Sequence, residues 1–248
     1  MAVTVVTGSA SGIGAAVRAQ LESAGHRVIG IDRQNADVLA DLSTAGGRKA
    51  AIEAAITACG GVLDGLVCCA GLGPTAPSSS VIVGVNYFGM SELVEGLEGA
   101  LAHGQKPAVT LIGSVASVHP GMDKLPMVSA MLAGDEQQAL AQADAMAMPQ
   151  AAYAGSKYAI AVFARRKAVA LGPKGIRINV VAPGAIETDF GGGVVRDNDQ
   201  VNGFIASNTA LGRVGLPDDI GAAVAVLLGD GGSWINGQRV EVSGGMFL

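Results

Sequence analysis

The chain has 248 residues, enough to bury one large core, and no stretch has the composition of a linker, so it reads as a single domain, 1–248. Hydrophobic residues make up 50 % and charged residues 15 %, but glycine breaks every apolar run short of the roughly 18 residues that a membrane span needs. A net charge of −5 with 4 % aromatics argues against a nucleic-acid surface, so neither nucleic acid nor membrane is an expected partner.

The apolar run Val3 to Val6 is predicted as the first strand, and no basic or apolar leader precedes it. That predicts a chain without a secretory signal and a cytoplasmic location. The stretch Thr7-Gly8-Ser9-Ala10-Ser11-Gly12-Ile13-Gly14 then reads as a strand end, a glycine turn and a helix start. Gly8 suits the tight turn, Gly12 a close approach of backbone to a pyrophosphate, and Gly14 close packing of helix on strand. A phosphate would sit on the free N–H groups at the positive end of the helix dipole. With 37 glycines in the chain, such a cluster also arises by chance.

Arg27 to Ile31 is the second strand, and Asp32 at its end stands where a carboxylate can accept both ribose hydroxyls of an adenosine. It reads otherwise as a plain turn residue. A carboxylate there would repel the 2′-phosphate of NADP, which favours NAD as cofactor. Val38 to Ala40 is a short third strand followed by Asp41-Leu42, a pair that could flank an adenine ring; Asp41 reads equally as part of the N-cap region before Ser43-Thr44. Thr44 to Cys59 is a helix with Ala50, Ile52, Ala55 and Ile56 expected inward, stopped by Gly60-Gly61.

Leu63 to Cys69 is a buried strand ending in a second glycine turn, Ala70-Gly71-Leu72-Gly73-Pro74, at the end of the sheet where ligands bind. Cys59, Cys68 and Cys69 have no metal spacing, and two adjacent thiols on one strand point to opposite faces, so buried free thiols and no metal are expected. Val81 to Leu101 is a long helix with Asn86 near its middle. Asn is unfavourable inside a helix, so Asn86 either has a specific hydrogen-bonding task or faces solvent. His26, His103 and His119 are scattered and read as structural or solvated.

Ala108 to Ile112 is the next strand, with Gly113-Ser114 on the ligand side. Residues 115–152 form an excursion holding two short helices, Met127 to Ala133 and Asp135 to Ala147, broken at Gly134. A helix from Tyr153 to Leu171 carries Tyr153 and Lys157 one turn apart on one face, a spacing that usually arises by accident. Ile176 to Val181 is the sixth strand, before Pro183-Gly184 and a loop with Glu187, Thr188 and Asp189. Residues 190–208 are a flap hinged at the glycines 191 to 193, Pro217 to Leu228 a helix, and Gln238 to Val242 the last strand. Seven strands alternating with helices imply an α/β doubly wound parallel sheet.

With Thr7-Gly8-xxx-Gly12-Ile13-Gly14, Ala70-Gly71, Asn86, Ser114, Tyr153-Ala-Gly-Ser-Lys157 and Pro183-Gly184 all in order, the chain resembles the short-chain dehydrogenase/reductase family over essentially its whole length. Residues 64–74, 85–89 and 114–119 are similar to the bacterial 3α-hydroxysteroid dehydrogenase/carbonyl reductase subgroup. Two departures stand out: Cys68-Cys69 replaces the usual Asn-Asn, and some 38 residues separate Ser114 from Tyr153, far more than is usual.

The resemblance implies a single-domain Rossmann fold of seven parallel strands, with the excursion as a helical insertion. It also implies hydride transfer between nicotinamide and a secondary alcohol or ketone, a steroid in this subgroup. It makes Tyr153 the acid/base, although a free tyrosine with a pKa near 10 is about three units too basic, so a nearby ammonium and the cationic nicotinamide are expected to lower it. Lys157 supplies the ammonium and holds ribose hydroxyls, Ser114 orients the substrate oxygen, and Asn86 holds a water relaying protons to Lys157. Gly8, Ser11, Gly12, Ile13, Gly14, Asp32, Asp41, Leu42, Ala70, Gly71, Pro183, Gly184 and Ile186 are implied cofactor contacts, and Thr188 binds the carboxamide. The runner-up activity is reduction of a small cyclic, acyl or sugar carbonyl. A non-catalytic dinucleotide sensor would have no need of Ser, Tyr and Lys together. Relatives of this family dimerise through two surfaces; an insertion covering one of them leaves a homodimer as the expected assembly.

Overall fold

The computed structural model describes residues 1–246. Seven strands, β1 Val3–Thr7, β2 Arg27–Asp32, β3 Val38–Leu39, β4 Gly65–Cys68, β5 Ala108–Ile112, β6 Arg177–Pro183 and β7 Arg239–Val242, form one all-parallel sheet in the order β3-β2-β1-β4-β5-β6-β7. The order reverses between β1 and β4, which opens a crevice at their carboxyl ends.

Strand period sets the two-sided core. Val5, Leu66, Cys68, Leu111 and Val180 point into the larger apolar cluster, while their neighbours Val6, Val67, Ile112 and Val181 point into a smaller one. Helices α1 (Gly12–Ser23) and α10 (Pro217–Leu228) close the smaller face. The larger face is covered by α2 (Ala45–Cys59), by a long helix running from α3 (Ser79–Val83) into α4 (Gly89–Ala102), and by α7 (Pro149–Leu171). Cys68 and Cys69 lie on opposite faces as expected, and all three cysteines are free.

Three helices differ from their sequence patterns. The buried stripe of α2 is Arg48, Ala51, Ala55 and Cys59, with Ile52 partly buried, whereas Ala50 and Ile56 face solvent. A charged residue takes an inward position, so the stripe is turned relative to the one drawn through apolar residues alone. Between α3 and α4 the chain makes a π turn, Gly84–Phe88, with all five residues buried. Asn86 is therefore buried in the core, which removes its solvent-facing reading. Helix α7 begins at Pro149, a residue suited to a first helical turn, so Tyr153 sits in the second turn.

The insertion forms α5 (Pro126–Ala133) and α6 (Glu136–Met146), separated at Gly134 with φ +76°, and Asp135 caps α6 by accepting from Gln138 N at 3.0 Å. A Cβ at Gly155 of α7 would stand 2.7 Å from Met127 Cε, so α5 and α7 meet at a glycine. The flap folds as α8 (Val194–Asp197) and α9 (Asp199–Ser207) after three consecutive glycines of positive φ, Gly191 to Gly193.

Candidate active site

The glycine turn is shaped by contacts that no side chain would allow. Gly8 has φ +66°, and a Cβ there would lie 2.7 Å from Ala70 N; a Cβ on Gly14 would lie 1.9 Å from the Gly8 carbonyl oxygen. The β1 turn thus presses on the β4 turn while α1 starts directly over it, as the glycine spacing requires. Gly12, at φ +52°, faces the Thr188 methyl, 3.4 Å from where its Cβ would be. Ser11 occupies the N-cap of α1 but its side chain bonds none of the first N–H groups, and Ile13 is half-buried beside it.

Asp32 ends β2 with its carboxylate turned to this loop: Oδ2 accepts from Ala10 N at 3.0 Å and Oδ1 from Arg33 N at 2.6 Å. Asp41 is exposed and accepts from Ser43 N at 2.9 Å, while Thr44 accepts from Gly47 N as the cap of α2. Both readings of Asp41 are compatible with this, since its bond belongs to the cap region and the residue is exposed. Leu42 is buried against Gly89, at 3.4 Å from that glycine's Cβ position.

At the β4 turn, Ala70 N donates to Thr7 Oγ1 at 3.1 Å, and a Cβ on Gly71 would come within 3.3 Å of Asn86 Oδ1 and 3.5 Å of Lys157 Nζ. The Asn86 amide pairs with the backbone of Leu72, accepting from its N–H at 2.7 Å and donating to its carbonyl at 3.0 Å, and donates again to Ser156 Oγ at 3.2 Å. Ser156 in turn donates to the Tyr153 carbonyl at 2.7 Å. One buried amide so fixes the β4 turn against the helix that carries Tyr153.

Lys157 is buried and its ammonium donates to the carbonyl of Ile112, the last residue of β5, at 2.7 Å, while lying 5.9 Å from the Tyr153 ring centroid. Burial pulls its pKa down to about 8. Ser114, two residues beyond Ile112, is buried; its hydroxyl accepts from Ala116 N at 3.1 Å and its carbonyl accepts from Ser117 Oγ at 2.7 Å. Burial also pushes the Tyr153 phenol above its ordinary value, and the Ser114 hydroxyl draws it partly back. The lowering expected for Tyr153 involves the cationic nicotinamide as well as Lys157, and among the protein's own groups burial outweighs the Ser114 hydroxyl, so the net direction is upward.

Pro183 ends β6, and Gly184 N donates to Val242 O at 3.2 Å; Ile186 is buried and bridges to Gly215. Thr188 Oγ1 accepts from Phe190 N at 3.2 Å, and the Phe190 ring stands 5.8 Å from the Tyr153 ring, centroid to centroid, filling the space left by Gly73. A separate cleft of about 760 Å³ lies at the amino end of β6, where Arg177 is engaged by the carbonyls of Leu227 and Gly232. Its charged lining is Lys106, Arg177 and Asp230, and Lys106 is paired with Asp230 at 2.8 Å. Among the described residues no helix is long and apolar enough to cross a membrane, and no three His, Cys, Asp or Glu side chains converge on a metal position.

A family model described as Enoyl-(Acyl carrier protein) reductase matches residues 8–247. The 3-alpha-hydroxysteroid dehydrogenase/carbonyl reductase of Comamonas testosteroni is 41 % identical over 99 % of this chain and 96 % of its own length. This chain is a short-chain dehydrogenase/reductase. Among solved structures, the 3-alpha-hydroxysteroid dehydrogenase from Pseudomonas sp. B-0831, complexed with NADH, is 50 % identical with a TM-score of 0.93, covering 98 % of this chain and 96 % of that one. Versicolorin reductase 1 of Dothistroma septosporum matches a shorter stretch, 42 % identical over 39 % of this chain and 40 % of its own.

In this short-chain dehydrogenase/reductase the motif residues Ser114, Tyr153, Lys157 and Asn86 gather at the carboxyl ends of β4 and β5, beside the glycine turn. Phe190, Leu72 and Ser156 also belong to the site and were not singled out by the sequence. Ser156 lies inside the Tyr-x-x-x-Lys segment and could have been noticed there, but Phe190 sits in an irregular loop with no periodicity to mark it.

Proposed function

We propose that this enzyme is an NAD-dependent 3α-hydroxysteroid dehydrogenase that also reduces bulky ketones. The observation that carries the reading is the meeting of Ser114, Tyr153 and buried Lys157 next to a glycine turn closed by Asp32. The full-length likeness to two 3α-hydroxysteroid dehydrogenases, one complexed with NADH, supports the substrate and the cofactor.

The residues fit a dinucleotide. The Lys157 ammonium has three N–H donors and makes one hydrogen bond among the described residues, to Ile112 O, which leaves two for ribose hydroxyls. The exposed start of α1 offers N–H groups to a pyrophosphate. The Asp32 carboxylate suits the adenosine ribose and opposes a 2′-phosphate, an effect that the adjacent Arg33 offsets only in part. Asp41, Leu42, Ala70, Gly71, Pro183, Gly184 and Ile186 line the remainder, with Thr188 toward the carboxamide. Bound NAD supplies the hydride acceptor for the alcohol, and NADH the donor for the ketone.

Tyr153 Oη takes the hydroxyl proton of the alcohol or returns it to the ketone. Ser114 Oγ–H donates to the substrate oxygen and sets its orientation. Lys157, still mainly cationic near neutral pH, favours the phenolate form of Tyr153 once the site is loaded. Asn86 Oδ1 keeps a lone pair free of Leu72, able to hold a water between it and Lys157. Phe190 and Phe204 of the flap segment, with Leu211 exposed just beyond it, supply apolar walls for a steroid.

The assembly we infer is a homodimer in the cytoplasm with no nucleic-acid or membrane partner. Helices α5 and α6 pack on α7 and α3, which we take to block the family surface formed by the Tyr153 helix and the long helix of α3 and α4, and the half-exposed edge strand β7 beside α10 is left to meet a second copy. The test is a spectrophotometric assay with androsterone and NAD, then NADP. Absorbance of the reduced cofactor should rise with NAD and much less with NADP. Activity confined to unrelated small carbonyls, or equal use of NADP, would overturn the reading.

A further inference from the structure

Arg48 is the largest fully buried side chain among the described residues, and the chemistry above does not use it. Its guanidinium joins three parts of the fold. Nε donates to Glu92 of α4 at 2.8 Å, Nη2 donates to both carboxylate oxygens of Glu136 at 2.7 and 2.6 Å, and Nη1 donates to the Leu42 carbonyl at 3.4 Å. Glu136 is the first residue of α6, within the insertion. The guanidinium carbon also stands 6.0 Å from the Phe88 ring centroid, at the end of the π turn that holds Asn86.

The segment that Arg48 touches is held at three further points. A Cβ on Gly47 would be 2.0 Å from Asp41 O, one on Gly84 3.1 Å from Ser43 O, and one on Gly89 3.4 Å from Leu42 Cβ. Residues 41–43 are thus wedged between the start of α2 and the helix of Asn86, with glycines at each contact and Arg48 beneath. Burying the Arg48 guanidinium costs several kcal/mol, which the partly exposed carboxylates of Glu92 and Glu136 offset, and an apolar set of similar volume is often as stable or more so. Fixing one register is the best-attested use of such a group.

We propose that Arg48 and Glu136 form a clasp through which the insertion holds residues 41–43 in register, making Arg48 a positioning residue for the adenosine half of the cofactor site. This rests on the reading that Asp41 and Leu42 flank the adenine. The insertion, on this view, serves cofactor binding at its far end as well as covering helices.

The test compares Arg48→Met and Glu136→Gln in the full chain, with NADH, ADP-ribose and reduced nicotinamide mononucleotide as probes. Both variants should bind NADH and ADP-ribose roughly tenfold more weakly, and KM for NAD should rise by a far larger factor than kcat falls. Binding of the mononucleotide, which has no adenosine, should change by less than about twofold. If Arg48→Met does not fold, Glu136→Gln, which loses a charge and keeps its shape, decides alone. NADH affinity within about twofold of wild type in folded Glu136→Gln, or an equal loss for the mononucleotide, overturns the clasp. Leu42→Ala separates the premise: if it leaves ADP-ribose binding intact, the adenine lies elsewhere and the clasp falls with it, whereas loss there without loss in Glu136→Gln refutes the clasp alone.

Discussion

Lys157→Met should make the protein more stable while destroying its activity. A lysine whose pKa is pulled from an ordinary 10.5 to about 8 by burial carries a cost of about 3 kcal/mol at neutral pH, at about 1.36 kcal/mol per unit. Methionine has a similar length and no charge, but it leaves the Ile112 carbonyl without the 2.7 Å hydrogen bond, a loss of about 1 kcal/mol. The remaining gain of about 2 kcal/mol corresponds to a Tm rise of roughly 4–8 °C for a chain of this size. The sign follows from proton binding: between about pH 8 and 10.5 the unfolded lysine holds a proton that the folded one has lost, so wild-type stability from this group rises with pH there. The advantage of the variant is therefore full below about pH 8 and fades toward pH 10.5. Thermal unfolding by circular dichroism of both proteins across that range reads it. A variant no more stable than wild type near neutral pH, or a difference that does not shrink as pH rises, would refute the argument that the ammonium is held at a cost.

Tyr153→Phe should lower kcat about 10²–10⁴-fold and leave NADH affinity close to wild type, as measured by turnover and fluorescence titration, because it removes a proton-transferring oxygen and no cofactor contact beyond it. Gly14→Ala should yield little folded protein, read by soluble yield and circular dichroism, since its Cβ would fall 1.9 Å from a backbone oxygen and neither turn can retreat. Light scattering should report twice the 24.6 kDa chain mass, and a species of four times that mass persisting on dilution would show that the insertion does not block the helix surface it was inferred to cover.

The site was legible where its signal is local. Tyr153 and Lys157 are one turn apart on a helix, Gly8 and Gly14 bracket a strand-to-helix turn, and Ser114 follows an apolar strand, so short-range spacing carries each of them. The sheet was legible because buried parallel strands appear as unbroken apolar runs, as in Leu66–Cys68. What escaped depends on partners distant in sequence. The π turn at Gly84–Phe88 lies in a segment buried all round, where no period of 3.6 can register an added residue. Arg48 did not stand out because a charge is normally solvated, and only Glu92 and Glu136, 44 and 88 positions away, make its burial tolerable. Phe190 acquires its place from Gly73 and Tyr153, which folding alone brings to it.

The two neighbouring cysteines at the end of β4 give the molecule a pair of built-in clocks. Cys68 is sealed in the larger cluster and its thiol is pushed up to about 12, whereas Cys69 is half-buried on the other face, against the smaller cluster, with its thiol raised further still. Their side chains leave the strand in opposite directions, so they cannot close a disulfide with each other. A thiol reagent would reach the partly exposed Cys69 with little opening of the α1 and α10 side, and Cys68 only when the α4 and α7 side comes away. Mass spectrometry of labelled peptides would then time the opening of each layer separately, from two atoms one residue apart.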